Sequence, residues 1–142
     1  MSLSDGDSII TCDVVSADSE ILILSERGFG KRTNFDEFTP HHRATGGVRA
    51  MNVTAKTGRL LGCYTVRPQD EMIVITTRGR MIRVAVSDLP KSSRTSMGNI
   101  TVRLDEGDLV ADCSIVRAGD TSGEKGAAEP ASDTTGSLPF GD

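Results

Sequence analysis

Ile21-Leu-Ile-Leu-Ser-Glu-Arg-Gly-Phe-Gly-Lys-Arg32 is the stretch whose reading decides the fold: a short apolar run, a glycine turn, and an exit carrying two cations. Met72-Ile-Val-Ile-Thr-Thr-Arg-Gly-Arg-Met-Ile-Arg83 repeats it 51 positions later. Arg27, Gly28 and Arg32 fall on Arg78, Gly79 and Arg83, and at the same spacing Arg43 meets Arg94 and Gly47 meets Gly98. Repetition of short strands at this period means that the chain must be read by unit.

Working outward, each unit follows one plan. An apolar strand (Glu20–Ser25, Glu71–Thr76) turns into a second strand (Gly30–Asn34, Met81–Val86). The unbroken apolar runs predict strands covered on both faces. A polar connector follows, in which Pro40 and Pro90 oppose helix. A third strand is expected at Val48–Val53 and Asn99–Leu104, and Thr57-Gly58 and Glu106-Gly107 turn into a fourth. The fourth strand recurs a third time at Ser8–Val15, aligned through Gly6, Gly58 and Gly107 so that Cys12, Tyr64 and Cys113 share a register. Four short strands per unit predict an all-β, propeller-type array. The expected organisation is a lead-in over residues 1–7, a strand of a preceding unit at 8–15, units at 20–67 and 71–117, and a disordered acidic tail over 118–142.

Composition narrows the function. With 142 residues, 15 Gly, one Tyr and no Trp, the chain suits short strands joined by glycine turns rather than a helical bundle. No apolar run has membrane-spanning length, and a soluble, cytoplasmic protein is expected. The net charge of −4 hides a segregation. Arg27 to Arg103 holds 14 Lys/Arg against 5 Asp/Glu, whereas the remainder holds 2 against 15. A basic body beside an acidic tail points to a polyanionic partner.

Catalytic and metal chemistry find little support. Cys12, Cys63 and Cys113 follow the repeat and form no CxxC pair, so reduced, mostly buried thiols and no metal site are expected. Gly28-Phe-Gly-Lys-Arg-Thr33 lacks the first glycine of a phosphate loop and sits in a strand context. No nucleophile–base set or carboxylate pair stands out, and the chain by itself reads as no enzyme. The recurring cations do stand out. Lys31, Arg32, Arg43, Arg49, Arg80, Arg83, Lys91 and Arg94 would form a cationic stripe if equivalent residues share one rim, and such a stripe can follow duplex phosphates without reading bases. The competing structural reading pairs Arg43 with Glu37 and Arg94 with Asp88 inside each unit.

These residues carry a resemblance. Gly28-Phe-Gly-Lys-Arg-Thr33 with Asp36-Glu37-Phe38, the Arg43–Val48 and Arg94–Gly98 elements, and the Leu104–Leu109 turn resemble the blade motifs of the DNA gyrase A C-terminal domain, within the type IIA topoisomerase A-subunit family. The likeness spans about residues 8–117 and resembles the last two blades with a tail. It implies a β-pinwheel whose neighbouring blades exchange a strand and whose outer rim wraps duplex DNA, supporting negative supercoiling by the complete enzyme. Lys31, Arg32, Arg43, Arg83 and Arg94 become candidate phosphate contacts by position. The implied partners are DNA, the remainder of the gyrase A polypeptide and the gyrase B polypeptide, in the bacterial cytoplasm near the nucleoid. ATP and Mg would act elsewhere in that complex, leaving no cofactor here. His42-Arg-Ala-Thr-Gly-Gly-Val48 stands where the family's first blade carries a glutamine-led box, and Asn99 replaces the usual Val/Ile. The alternatives are the equivalent topoisomerase IV domain and a propeller-like protein-interaction module. Exposed cut faces predict self-association of the fragment.

Overall fold

The computed structural model describes residues 1–119, so the expected disordered tail lies almost wholly outside the described residues. Among the described residues seven strands follow one another: β1 (Glu20–Ser25), β2 (Phe29–Asn34), β3 (Leu60–Val66), β4 (Glu71–Thr76), β5 (Met81–Ala85), β6 (Asn99–Ile100) and β7 (Val110–Val116). Short 3-10 turns at Phe35–Glu37 and Val86–Asp88 follow β2 and β5. The strands pair antiparallel in two sheets, ordered β3-β1-β2-β6 and β5-β4-β7. β6 belongs to the second unit by sequence yet completes the sheet of the first, pairing Ile100 with Phe29 and Asn99 with Gly30. The second unit therefore donates a strand to the sheet of the first.

Side-chain alternation explains the layering. Leu22 and Leu24 enter one core and Ile23 a second on the opposite face, all three fully buried. The first core is shared: Leu22, Leu24 and Val66 pack with Met72, Val74, Val86, Leu89, Val102, Val110 and Cys113 of the second unit. Each fully buried aliphatic side chain there contributes roughly 1.5–3 kcal/mol, so neither unit keeps its core without the other. In β4 only one face is covered, because Met72 and Val74 are buried while Ile75 is 38% exposed. The expectation of two covered faces holds for β1 and fails for β4.

Three other expectations change. Ser8–Val15 forms no strand; the segment lies along β3 through side-chain bonds, Thr65 N donating to Asp13 Oδ2 and Thr11 Oγ1 to the Cys63 carbonyl. Val48–Val53 forms no strand, and Asn99–Leu104 shortens to β6, because only the latter finds a free edge, β2, to pair with. Finally, Ile23 faces Cys63 as Val74 faces Cys113, so Cys63 rather than Tyr64 is the counterpart of Cys113. The turn after Gly107 is one residue longer than that after Gly58, so an alignment anchored on the glycines slips by one.

The junction between units is built on β2. Gly28 turns the chain at φ +85°, and a Cβ there would lie 2.3 Å from the Val102 carbonyl oxygen. The Gly28 carbonyl accepts from the amides of Thr101 and Val102 at 2.8 and 3.1 Å. Further along, Arg32 N donates to the Pro90 carbonyl and Ser92 N to that of Arg32, each at 2.9 Å. The side chains complete the seam. Lys31 is wholly buried and its Nζ donates to the carbonyls of Ser93, Arg94 and Ser96 at 2.7, 2.7 and 3.0 Å. Arg32, 7% exposed, pairs with Glu20 at 3.0 Å and donates to the Leu89 and Ser87 carbonyls.

Lys31→Met keeps the side chain's length but removes three charge-assisted bonds, leaving the Arg94 carbonyl without its donor while those of Ser93 and Ser96 keep the Ser96 and Asn52 amides, and should cost about 2–3 kcal/mol of stability. Ile82→Met at the equivalent position should cost less than about 1.5 kcal/mol. Urea unfolding of both variants checks the difference. A second prediction concerns acid. Desolvation alone would raise the Asp70 carboxyl, but donation from the Arg67 and Ala118 amides and the Arg117 guanidinium outweighs it and holds Asp70 below its ordinary value of 3.8. Its contribution is therefore full above that value and is lost as pH falls through the lower, folded value. Asp70→Asn should lose about 1–2 kcal/mol at neutral pH and show a flatter decline below pH ~4 than the parent in pH-dependent unfolding.

Candidate nucleic-acid interface

The structure separates the eight candidate cations by environment. Lys31 and Arg32 are sunk beneath the surface and spend their donors on the junction, so the expectation that they touch phosphate is corrected. Burial pulls the Lys31 ammonium below its usual range, with Arg94 adding to the fall and Glu37 opposing it. Arg80 and Arg83 are exposed and ion-paired, with Asp105 and Glu71 respectively. Exposed pairs of this kind contribute only ~0–1 kcal/mol.

The remaining four lie on the two connectors. Lys91 is exposed, with Nζ 2.7 Å from Glu20 Oε2. Arg94 is half-buried and its guanidinium donates to the Arg49 carbonyl. Arg43 and Arg49 are exposed, and their guanidinium groups make no hydrogen bond or ion pair among the described residues. Glu37 does not pair with Arg43; its Oε2 accepts from the Arg94 amide at 2.6 Å. Nor does Arg94 pair with Asp88. Glu37 and Lys31 thus hold residues 93–96 from two sides, and the Arg94–Arg49 bond draws the connectors of both units together. The result brings Arg49 and Arg94 together, with Arg43 on the same connector as Arg49 and Lys91 on the same connector as Arg94, tied to Glu20.

Other cations are also exposed: Arg27, Lys56, Arg59, Arg67, Arg78 and Arg103. The reading of the sequence missed Lys56, whose ammonium stands 5.9 Å from the centre of the Phe29 ring. No local motif marks that contact, because it joins a turn to a distant strand.

Two of the three thiols, Cys63 and Cys113, are not poised as nucleophiles. Burial pushes the Cys63 thiol up to about 11, and burial with the neighbouring Asp112 pushes Cys113 up to about 12. Cys12 departs from the expected burial and is exposed. Burial likewise raises Tyr64 to about 12. Among the described residues no group of three or more His, Cys, Asp or Glu is arranged to hold a metal ion. No helix among them is long and apolar enough to cross a membrane.

Comparison with known proteins follows the same unit boundaries. The sequence model of the DNA gyrase C-terminal domain, a β-propeller, matches residues 19–67 and again 70–117. The DNA gyrase A protein of Aminobacterium colombiense is 52% identical over 118 residues, which are 83% of this chain and 14% of that protein. That of Kosmotoga olearia is 35% identical over 118 residues, again covering 14% of its length. The crystal structure of a DNA topoisomerase IV C-terminal domain superposes with a TM-score of 0.78 at 25% identity, over 93% of this chain and 42% of that one. A DNA gyrase A C-terminal domain structure does so at 0.65 and 23% identity over 68% of this chain and 33% of that one, a likeness of fold. Matched unit by unit, with a strand of the second unit completing the sheet of the first, the chain belongs to the DNA gyrase C-terminal domain family of β-propellers.

Proposed function

We propose that this chain is a non-catalytic module that binds duplex DNA through its phosphates, as part of a gyrase A protein whose complete enzyme introduces negative supercoils using ATP and Mg bound elsewhere. Its proposed protein partners are the remainder of gyrase A and the gyrase B polypeptide, in the bacterial cytoplasm. One observation carries the reading. Arg94 meets Arg49 where the two connectors come together, and the loop that carries Arg94, three residues after Lys91, is held by the buried Lys31. A held loop presents its charges without first being ordered, which limits the entropic cost of binding. Arg43 extends the set along the first connector.

Guanidinium and ammonium groups spread over loops suit backbone contact. Arg80 and Arg83 are secondary contacts, since Asp105 and Glu71 already offset their charges. The topoisomerase IV domain is the second reading, favoured by the superposition over 93% of the chain. The 52% identity to a gyrase A protein favours gyrase.

With about four phosphate contacts, log K should fall against log salt with a slope near −3.6. Replacing Arg49, Lys91 or Arg94 with Ala should weaken binding to unrelated duplexes alike and reduce the slope by about 1 each. Fluorescence anisotropy across a salt series measures both. Binding that ignores salt, or a loss confined to one sequence, contradicts the proposal.

A further inference from the structure

Two further cations lie beyond the point where the connectors meet. From Arg49 onward the first connector runs beside the second: Arg94 donates to the Arg49 carbonyl, Asn52 N donates to the Ser96 carbonyl at 3.2 Å, and Thr54 Oγ1 stands 3.9 Å from Met97 Sδ. Neither residues 49–58 nor residues 91–100 include a carboxylate. The acids that reach them from other elements have partners: Glu20 pairs with Lys91, Glu37 accepts from the Arg94 amide and Glu26 from the Arg59 amide.

The first of these strips ends in a locked turn. Thr57 is fully buried, its Oγ1 accepts from the Thr54 amide at 2.9 Å, and the Gly58 amide donates to the Thr54 carbonyl at 3.0 Å. The Arg27 amide donates to the Thr57 carbonyl at 3.1 Å, which fastens this turn to the one between β1 and β2. Lys56 and Arg27, both exposed, line the same open cleft of about 460 Å³. Neither side chain makes a hydrogen bond or ion pair among the described residues, and the Lys56 ammonium faces only the Phe29 ring. An aromatic face attracts an ammonium without cancelling its charge.

The second unit differs at these places. Arg80 stands for Phe29 at the 51-residue spacing, and Asp105 stands for Lys56 when Gly58 and Gly107 are matched. Arg80 and Asp105 form an ion pair at 2.9 Å. Asp108, also on the far wall of the cleft, accepts through Oδ1 from Thr77 Oγ1 and from the Arg78 and Leu109 amides. Of the three acids on that wall, only Glu106 has no partner among the described residues. The same corner is thus charged in one unit and neutralised in the other.

We propose that Arg27 and Lys56 form a second phosphate contact, so that a duplex held at the connectors continues along residues 49–58 to the β1–β2 turn. This rests on the phosphate-binding reading of the connectors. Arg49 and Lys56 are seven residues apart. That interval spans at most ~25 Å of chain, less than one ~34 Å turn of duplex, so a single DNA molecule reaches both. The turn is held before DNA arrives, so the contact needs little new ordering. Glu106, across the cleft, works against it.

Fluorescence anisotropy of the full 142-residue chain on a labelled duplex of about two turns, across a salt series, tests the proposal. Four connector contacts alone give a slope of log K against log salt near −3.6, whereas six give about −5.4. The double variant Arg27→Gln, Lys56→Gln should lower that slope by about 1.8 and weaken binding roughly 60-fold at about 0.1 M salt. Glu106→Gln should tighten binding to the same duplex, a gain that misfolding does not produce. A parent slope near −3.6, a double variant that binds as the parent does, or a Glu106→Gln variant that binds no tighter overturns the proposal; a loss on Arg49→Ala and Arg94→Ala in the same series shows that the connector reading survives it. A parent whose binding ignores salt overturns both.

Discussion

A buried ammonium capped by three carbonyls of another unit is the constraint on which this structure depends. An isolated charge in an apolar interior costs far more than a small domain can spare. Lys31 is tolerated only because residues 93–96 curl around its Nζ, and Arg32 only because Glu20 and the Leu89 and Ser87 carbonyls receive it. The connector of the second unit has no strand of its own over those residues. Its path is set by the cations of the first unit beneath it. Two adjacent side chains therefore help to join the units and to hold the loop that bears Lys91 and Arg94.

This division of labour reframes the charge excess of the central segment. Part of the positive charge is internal scaffolding and part faces solvent. The inner part decides where the outer part stands. Lys91 shows the link most directly: its Nζ reaches Glu20 Oε2, so the carboxylate that neutralises Arg32 also tethers an exposed cation. A surface organised in this way can present charge to a polyanion with little reordering.

The strands are legible in the sequence where their signals are local. Apolar runs and glycine turns bound Glu20–Ser25 and Glu71–Thr76, and the structure places β1 and β4 at those residues. The donation of a strand from one unit to the other is legible only through family resemblance, since nothing local says which sheet Asn99 and Ile100 will join. The cations mislead because repeat register identifies equivalent places and not equivalent environments. Two signals point the other way. Lys31 repeats as Ile82, which marks the position as one suited to an apolar side chain. Glu20 precedes Arg32 by the same interval as Glu71 precedes Arg83, which marks the arginines as partners of a carboxylate. Ser8–Val15 and Val48–Val53 have the composition of strands, but a strand needs an edge to pair with, and that depends on what lies beside it in space.

Native-state hydrogen exchange at two amides tests the central claim most directly. Arg32 N and Ser92 N cross the seam, to the carbonyls of Pro90 and Arg32. If the buried cations weld the units into one cooperative body, both amides exchange only through global unfolding, with the same free energy as the amides of β1 and β4. Exchange at Arg32 and Ser92 through a low-energy local opening, while β1 and β4 stay protected, would show two units merely resting against each other and would contradict the account.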